Sequence, residues 1–156
     1  MGDRDTQLVV REVKEEDFDG WLPLWDGYNC FYGRFGDTAL PTETTQLTWS
    51  RFFDGYEPMH AFVAERGGVL VGLVHFLYHR STTLAGPVCY LQDLFTIESE
   101  RGKGVGRALI ESVYDAARSA RAERVYWHTH ETNHPAMRLY DALAEKPGFV
   151  MYRRSL

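Results

Sequence analysis

Three glycines at alternate positions, Gly102, Gly104 and Gly106, stand between a β-prone run and an amphipathic helix, and this unit limits the fold more than any other stretch. Val88 to Ile97 carries Tyr90, Leu91, Leu94, Phe95 and Ile97 and reads as a central strand. From Val105 the apolar residues Ala108, Leu109, Val113, Ala116, Ala117 and Ala120 recur at helical spacing, so a helix is expected over 105–120. Arg124 to Thr129, with Val125, Tyr126 and Trp127, reads as the next strand. A helix joining two strands crosses over, which makes that pair parallel and places a helix on one face of the sheet.

The rest of the chain completes the sheet. Leu8 to Val13 is a short strand, and the acidic Lys14–Asp17 segment opens a helix whose Trp21, Leu24, Trp25, Tyr28, Phe31, Tyr32 and Phe35 form a broad aromatic face. Gly33 and Gly36 close it. The face serves as core or as a pocket; the run Trp21, Trp25, Tyr28 and Tyr32 could cage a cationic amine. Pro41-Thr42-Glu43 begins a second helix reaching Phe53, and Asp54-Gly55 ends it. His60–Glu65 and Val69–His79 form a hairpin around Arg66-Gly67-Gly68. Asn133 to Ala144 is a helix with Ala136, Leu139, Tyr140 and Leu143 inward, stopped by Pro147-Gly148, and Phe149 to Arg154 is a final strand. The expected fold is α/β: one domain over residues 1–156, a mixed sheet with helices on both faces.

The 156 residues suit one domain, and 44% hydrophobic against 25% charged residues suffices for a core. A net charge of -5 argues against a nucleic-acid partner and favours a small cationic one. No signal-like segment or long uncharged run points to a membrane, and Cys30 and Cys89 lie far apart with no CxxC pair. Cytoplasmic residence is expected.

Glycines at a strand-to-helix junction let several N–H groups converge, and the helix N-terminus adds positive potential, so the loop is an anion cradle suited to pyrophosphate. Arg101, Lys103 and Arg107 supply charge at its rim. A Cβ at Gly104 or Gly106 would fill the ligand's space and oppose a positive φ. The dinucleotide pattern G-x-G-x-x-G fails, since Arg107 stands sixth from Gly102 and Leu109 sixth from Gly104. The nucleotide-triphosphate pattern fails because Gly104, not Ser or Thr, follows Lys103.

The remaining pattern, Arg101-x-x-Gly104-x-Gly106 after Leu94-Phe95-Thr96-Ile97, resembles the acetyl-CoA pyrophosphate loop of the GNAT superfamily of acetyltransferases. Asn133-x-x-Ala136-x-x-Leu139-Tyr140, followed by Gly148-Phe149, resembles its second signature. Tyr90-Leu91-Gln92-Asp93-Leu94-Phe95 with Arg101-Gly102-Lys103-Gly104 is similar to the Hpa-type and diamine acetyltransferases, which commonly carry Glu where Gln92 stands.

The resemblance implies an N-acetyltransferase that passes an acetyl group from acetyl-CoA to a primary amine by direct attack on the thioester. It also implies a splayed central strand pair into which pantetheine inserts against Leu94, Phe95 and Thr96, with the pyrophosphate on Arg101, Gly102, Lys103, Gly104, Val105, Gly106 and Arg107. A backbone N–H near Leu94 or Phe95 would stabilise the oxyanion, and Tyr140 would protonate the departing thiolate. Asn133 would hold pantetheine or the loop, or simply cap its helix. Gln92 and Asp93 are candidates for the base, or ordinary strand residues. His128, His130 and His134 lack a completing carboxylate or Cys, so no metal is expected. A non-catalytic acyl-CoA-binding module would share the loop, and a protein-lysine acetyltransferase would share the chemistry. Asp26, Asp37, Glu43 and Asp93 could draw a cationic acceptor. The final strand would leave an edge for a second copy, so a homodimer is expected.

Overall fold

The computed structural model describes residues 7–156. Its elements run β1 (Leu8–Glu12), α1 (Phe18–Phe31), α2 (Thr42–Arg51), β2 (Met59–Arg66), β3 (Val69–His79), β4 (Val88–Thr96), α3 (Val105–Ser119), β5 (Val125–Tyr126) and α4 (His134–Leu143), with three single 3-10 turns between them. One sheet takes the order β1-β2-β3-β4-β5, antiparallel except for the parallel pair β4 and β5 that α3 connects.

The β2–β3 hairpin closes on Gly67 and Gly68, both at positive φ, as a two-residue loop with the sheet's own twist requires. Arg11 of β1 ties this edge to the start of α1: its guanidinium donates to both oxygens of Asp17 at 2.7 and 2.9 Å and to Glu65 of β2 at 2.9 Å. Successive residues of β3 serve opposite faces. Leu73 packs with Trp21, Leu24, Trp25 and Tyr28 of α1, whereas Val74 and Phe76 pack with Val105, Leu109, Ile110, Val113 and Ala117 of α3. Gly72 permits the second contact, because a Cβ there would lie 2.9 Å from Val105 Cγ1 and 3.0 Å from Leu109 Cδ1. Helices therefore cover both faces.

Two expectations fail at the C-terminal end. The strand over 124–129 pairs only at Cys89↔Val125 and Tyr90↔Tyr126, and Phe149 to Arg154 forms no strand at all. Strands need a partner edge as well as β-prone residues, and within one chain β5 offers none beyond Tyr126. Phe149, Val150, Met151 and Tyr152 stay exposed. The first helix also stops at Phe31, short of Phe35, with Gly33 at φ 78° just beyond its end.

Candidate active site

The expected loop forms. Gly102 and Gly104 take φ of 74° and 85°, a region that L residues avoid, and Gly104 caps α3. A Cβ at either position would meet nothing within 4 Å, so the side they present is open. Gly106 has a different reason: it has no positive φ, and its missing side chain lets Leu139 of α4 approach, since a Cβ would stand 3.2 Å from Leu139 Cδ2. The first backbone N–H groups of α3, including those of Val105, Gly106 and Arg107, have no partner within the helix, an arrangement that suits an anion. Arg101 fastens this loop to the strand end, its Nε donating to the Thr96 carbonyl at 3.1 Å and its guanidinium lying 5.7 Å from the Phe95 ring centroid. Lys103 and Arg107 make only long, exposed ion pairs, to Glu100 at 3.6 Å and Glu111 at 3.7 Å, which leaves both available to an anion.

Beside the loop, β4 and β5 part after Tyr90, so the outer edge of β4 from Leu91 to Thr96, including Leu94 and Phe95, has no strand neighbour. That gap is the expected splay. On its other edge β4 carries a bulge: Phe76 pairs with Leu91 and His75 with Asp93, which leaves Gln92 as the extra residue. Leu91 and Leu94 consequently serve the same core, three residues apart rather than two, and Asp93 turns toward α1. Gln92 is exposed, whereas Asp93 is 8% exposed. The two candidate bases thus part company at the bulge.

Asp93 Oδ2 lies 2.9 Å from His75 Nδ1, and His75 Nε2 lies 3.1 Å from Trp21 Nε1. Burial, with the nearby Asp93 charge added, pushes the Tyr28 phenol well above its ordinary value. Tyr32 is raised by burial first and by the same carboxylate next, and Tyr90 by burial, then Tyr126, then Asp93. No Lys or Arg among the described residues pairs with Asp93. The aromatic face of α1 is therefore buried at one end and open to solvent at the other: Trp21 is fully buried, Trp25 stacks on it at 5.7 Å, Tyr28 on Trp25 at 5.4 Å, and Tyr32 is 44% exposed. Gly27 lets this helix approach β4, since a Cβ would lie 2.7 Å from Phe95 Cζ. Arg34, 5.8 and 5.5 Å from the Tyr28 and Tyr32 rings, is fixed by Asn29 Oδ1 at 2.7 Å and makes no ion pair with a described residue. It also lines a cavity of about 400 Å³ with Asp26, Asn29, Cys30 and Thr45; Asp37 and Glu43 do not line it.

Tyr140 stands across the gap on α4, its ring meeting Trp127 edge to face. Its hydroxyl makes no hydrogen bond with a described residue, and burial, followed by the influence of Tyr32, pushes its phenol up to about 12. Asn133 occupies the N-cap position of α4 without a side-chain cap; its amide reaches Thr129 Oγ1 at 3.5 Å. His128 approaches the Tyr90 hydroxyl at 3.3 Å, Tyr90 stacks on Tyr126 at 4.9 Å, and His130 bonds Thr132 at 2.7 Å. Among the described residues no group of three or more His, Cys, Asp or Glu could hold a metal, and no helix is long and apolar enough to cross a membrane.

The sequence points to the loop, Tyr90, Asp93 and Tyr140, but gives no signal for His75, Arg34 or Gly27. His75 was hidden inside an apolar strand, where a lone polar residue reads as strand patterning.

Comparison with known proteins agrees with this geometry. Residues 21–144 match the acetyltransferase (GNAT) family. The D-amino-acid N-acetyltransferase HPA3 of Saccharomyces cerevisiae is 36% identical over 152 residues, covering 96% of this chain and 91% of its own. The N-alpha-acetyltransferase 30 of Schizosaccharomyces pombe is 30% identical over 106 residues, covering 67% of this chain and 66% of its own. Among solved structures, AAC(6')-Iy in complex with a CoA bisubstrate analogue shares the fold with a TM-score of 0.82 at 17% identity, over 97% of this chain and 99% of that one. With an open strand pair, a glycine cradle at a helix N-terminus and a family match across most of its length, the chain belongs to the GNAT acetyltransferase family and is an acetyl-CoA-dependent N-acetyltransferase.

Proposed function

We propose that the acceptor is a small primary amine that reaches the enzyme as an ammonium ion and docks on Asp93. The observation that carries this reading is the buried Asp93 carboxylate, which has a histidine and a tyrosine for company and, among the described residues, no Lys or Arg paired with it. A buried anion without a counterion is costly, and a cationic substrate removes that cost when it binds. In the reaction the ammonium group passes one proton to Asp93, the neutral nitrogen bonds to the thioester carbonyl carbon, and that nitrogen then releases its second proton to solvent water as the tetrahedral intermediate collapses. A backbone N–H near Leu94 or Phe95 holds the oxyanion, the C–S bond breaks, and Tyr140 protonates the thiolate. Gln92, exposed on the bulge, takes no part in proton transfer. The pyrophosphate lies on residues 101–107, and Asn133 braces the turn before α4.

A second reading, a free amino acid as acceptor, is favoured by Arg34. This guanidinium is held in place by Asn29 and two tyrosine rings and has its outer N–H groups unpaired among the described residues, the arrangement that receives a carboxylate. The acceptor of the yeast relative is an amino acid by name. Thiol release from acetyl-CoA, measured with amino acids, their amides, polyamines and lysine peptides, tests both readings. Turnover of no small amine, or of peptides alone, refutes the small-amine assignment. Equal use of amino acids and their amides refutes the role of Arg34.

We also infer a homodimer, from the four exposed apolar residues at 149–152, and a reducing cytoplasmic setting, from Cys30 and Cys89, neither of which is paired.

A further inference from the structure

His75 is 2% exposed and sits in an aromatic box, its ring centroid 4.7 Å from Phe52, 5.2 Å from Trp25 and 5.9 Å from Trp21. A core of this kind has no packing need for an imidazole, since a leucine would fill comparable space without a polar atom to satisfy. Both ring nitrogens are nevertheless engaged, and the partners dictate which of them carries the proton. An indole N–H can only donate, so His75 Nε2 accepts from Trp21 Nε1 at 3.1 Å. The proton therefore resides on Nδ1, which donates to Asp93 Oδ2 at 2.9 Å. A doubly protonated ring would set two donors against each other at Trp21. The chain Trp21→His75→Asp93 thus runs in one direction and ends on an oxygen that can only accept.

The covalent frame supports the same direction. His75 and Asp93 are register partners across β3 and β4, and the bulge at Gln92 is what turns Asp93 onto the face of His75. Tyr28, Tyr32 and Tyr90 all feel the charge of this carboxylate, so it faces the tyrosines that follow the buried end of α1.

We propose that Trp21 and His75 form a buried positioning pair that holds the Asp93 carboxylate, purely as a hydrogen-bond acceptor, toward the entering ammonium group of the acceptor. The proposal rests on the reading of Asp93 as the ammonium site. Neither residue touches substrate; Trp21 fixes the tautomer and His75 aims the anion. Hydrogen bonds to charged groups are among the stronger ones, and losing this donor should also let the carboxylate turn away from the productive direction.

The test uses the whole chain with acetyl-CoA and the best amine from the screen. His75→Leu should raise KM for the amine and lower kcat/KM by about 10- to 100-fold while calorimetric acetyl-CoA affinity is unchanged. His75→Asn, whose amide N–H falls near the position of Nδ1, should recover most of that loss. Trp21→Phe keeps a ring but frees Nε2 to accept a second proton, giving a cation beside Asp93 that competes with the substrate ammonium. Among the described residues the titratable group bonded to His75 is Asp93 on β4, while Trp21 and Trp25 of α1, Phe52 just after α2 and Ala61 opposite on β2 do not titrate. The acid limb of kcat/KM should accordingly move to higher pH in Trp21→Phe. If His75→Leu does not fold, His75→Asn and Trp21→Phe carry the test alone: near-normal His75→Asn with a displaced acid limb in Trp21→Phe supports the pair. His75→Asn as impaired as His75→Leu, or a Trp21→Phe profile superimposable on wild type, overturns it. Asp93→Asn separates the two levels: a normal amine KM there refutes the ammonium site itself, whereas a raised KM there with unaffected His75 and Trp21 variants refutes only the positioning pair.

Discussion

The rings of Trp127 and Tyr140 meet edge to face, centroids 5.4 Å apart and planes 70° apart, and this contact joins the segment after β5 to α4 across the open edge of β4. It orients the Tyr140 ring through apolar contact and leaves the hydroxyl free to donate.

Tyr140→Phe keeps this ring contact and removes only the proton donor. Burial holds the phenol at about 12, further above the reference thiol value of about 8.5 than an ordinary tyrosine, so it stays protonated at working pH but is a weaker acid. The expected loss in kcat is therefore near the lower end of acid-base effects, about 10²-fold, with melting temperature and acetyl-CoA affinity unchanged. Full turnover under chemistry-limited conditions would return Tyr140 to a packing role and make water the acid.

At the cradle, Gly104 has a φ of 85° and open space around it, so its requirement is conformational. An L residue there costs about 1–2 kcal/mol unless the loop relaxes, and relaxation turns the N–H groups away from the pyrophosphate. Gly104→Ala should weaken acetyl-CoA binding about 10-fold. Gly104→Glu, which adds a negative charge, should weaken it more, in a protein that still folds. Unchanged calorimetric affinity in either folded variant counts against the cradle.

These residues were readable because their constraints are local. Glycine spacing, helical period and the Leu139-Tyr140 pair depend on near neighbours in sequence, and the β4–loop–α3 unit follows from them. The bulge at Gln92 depends on how β3 pairs with β4, and strict alternation would have placed Leu91 and Asp93 on one face. His75 gained its meaning only when that register brought it to Asp93. The expected strand at 149–154 had the right residues, but β5 beside it is only two residues long and gives it too short an edge within one chain, which propensity does not report.

Arg11 and Asp17 allow a prediction in pH. The Arg11 hydrogen bond, ahead of burial that works the other way, holds the Asp17 carboxyl below its ordinary value of 3.8. A carboxyl with a lowered folded value stabilises the protein fully above its unfolded value and loses that contribution as pH falls through the folded one. Asp17→Asn should therefore lower the melting temperature at neutral pH, and the gap from wild type should close as the pH falls below 3.8. A gap that stays constant with pH down to the acid transition would show that the pair contributes nothing through charge.

The last prediction concerns the apolar tail. Phe149 and Tyr152 are 90% and 92% exposed with Val150 and Met151 between them, while β5 pairs on one side only, at Val125 and Tyr126. An unpaired β-prone segment and an open strand edge in one molecule are complementary surfaces, and two copies related by a twofold axis can satisfy both at once. Light scattering at micromolar concentration should thus give twice the chain mass of 18.0 kDa. Phe149→Asp combined with Val150→Asp places charge where the second copy must dry the surface, and should convert the dimer to monomer while leaving the cradle's acetyl-CoA affinity in place. A wild-type monomer, or a double variant that remains dimeric, would remove this segment from any interface.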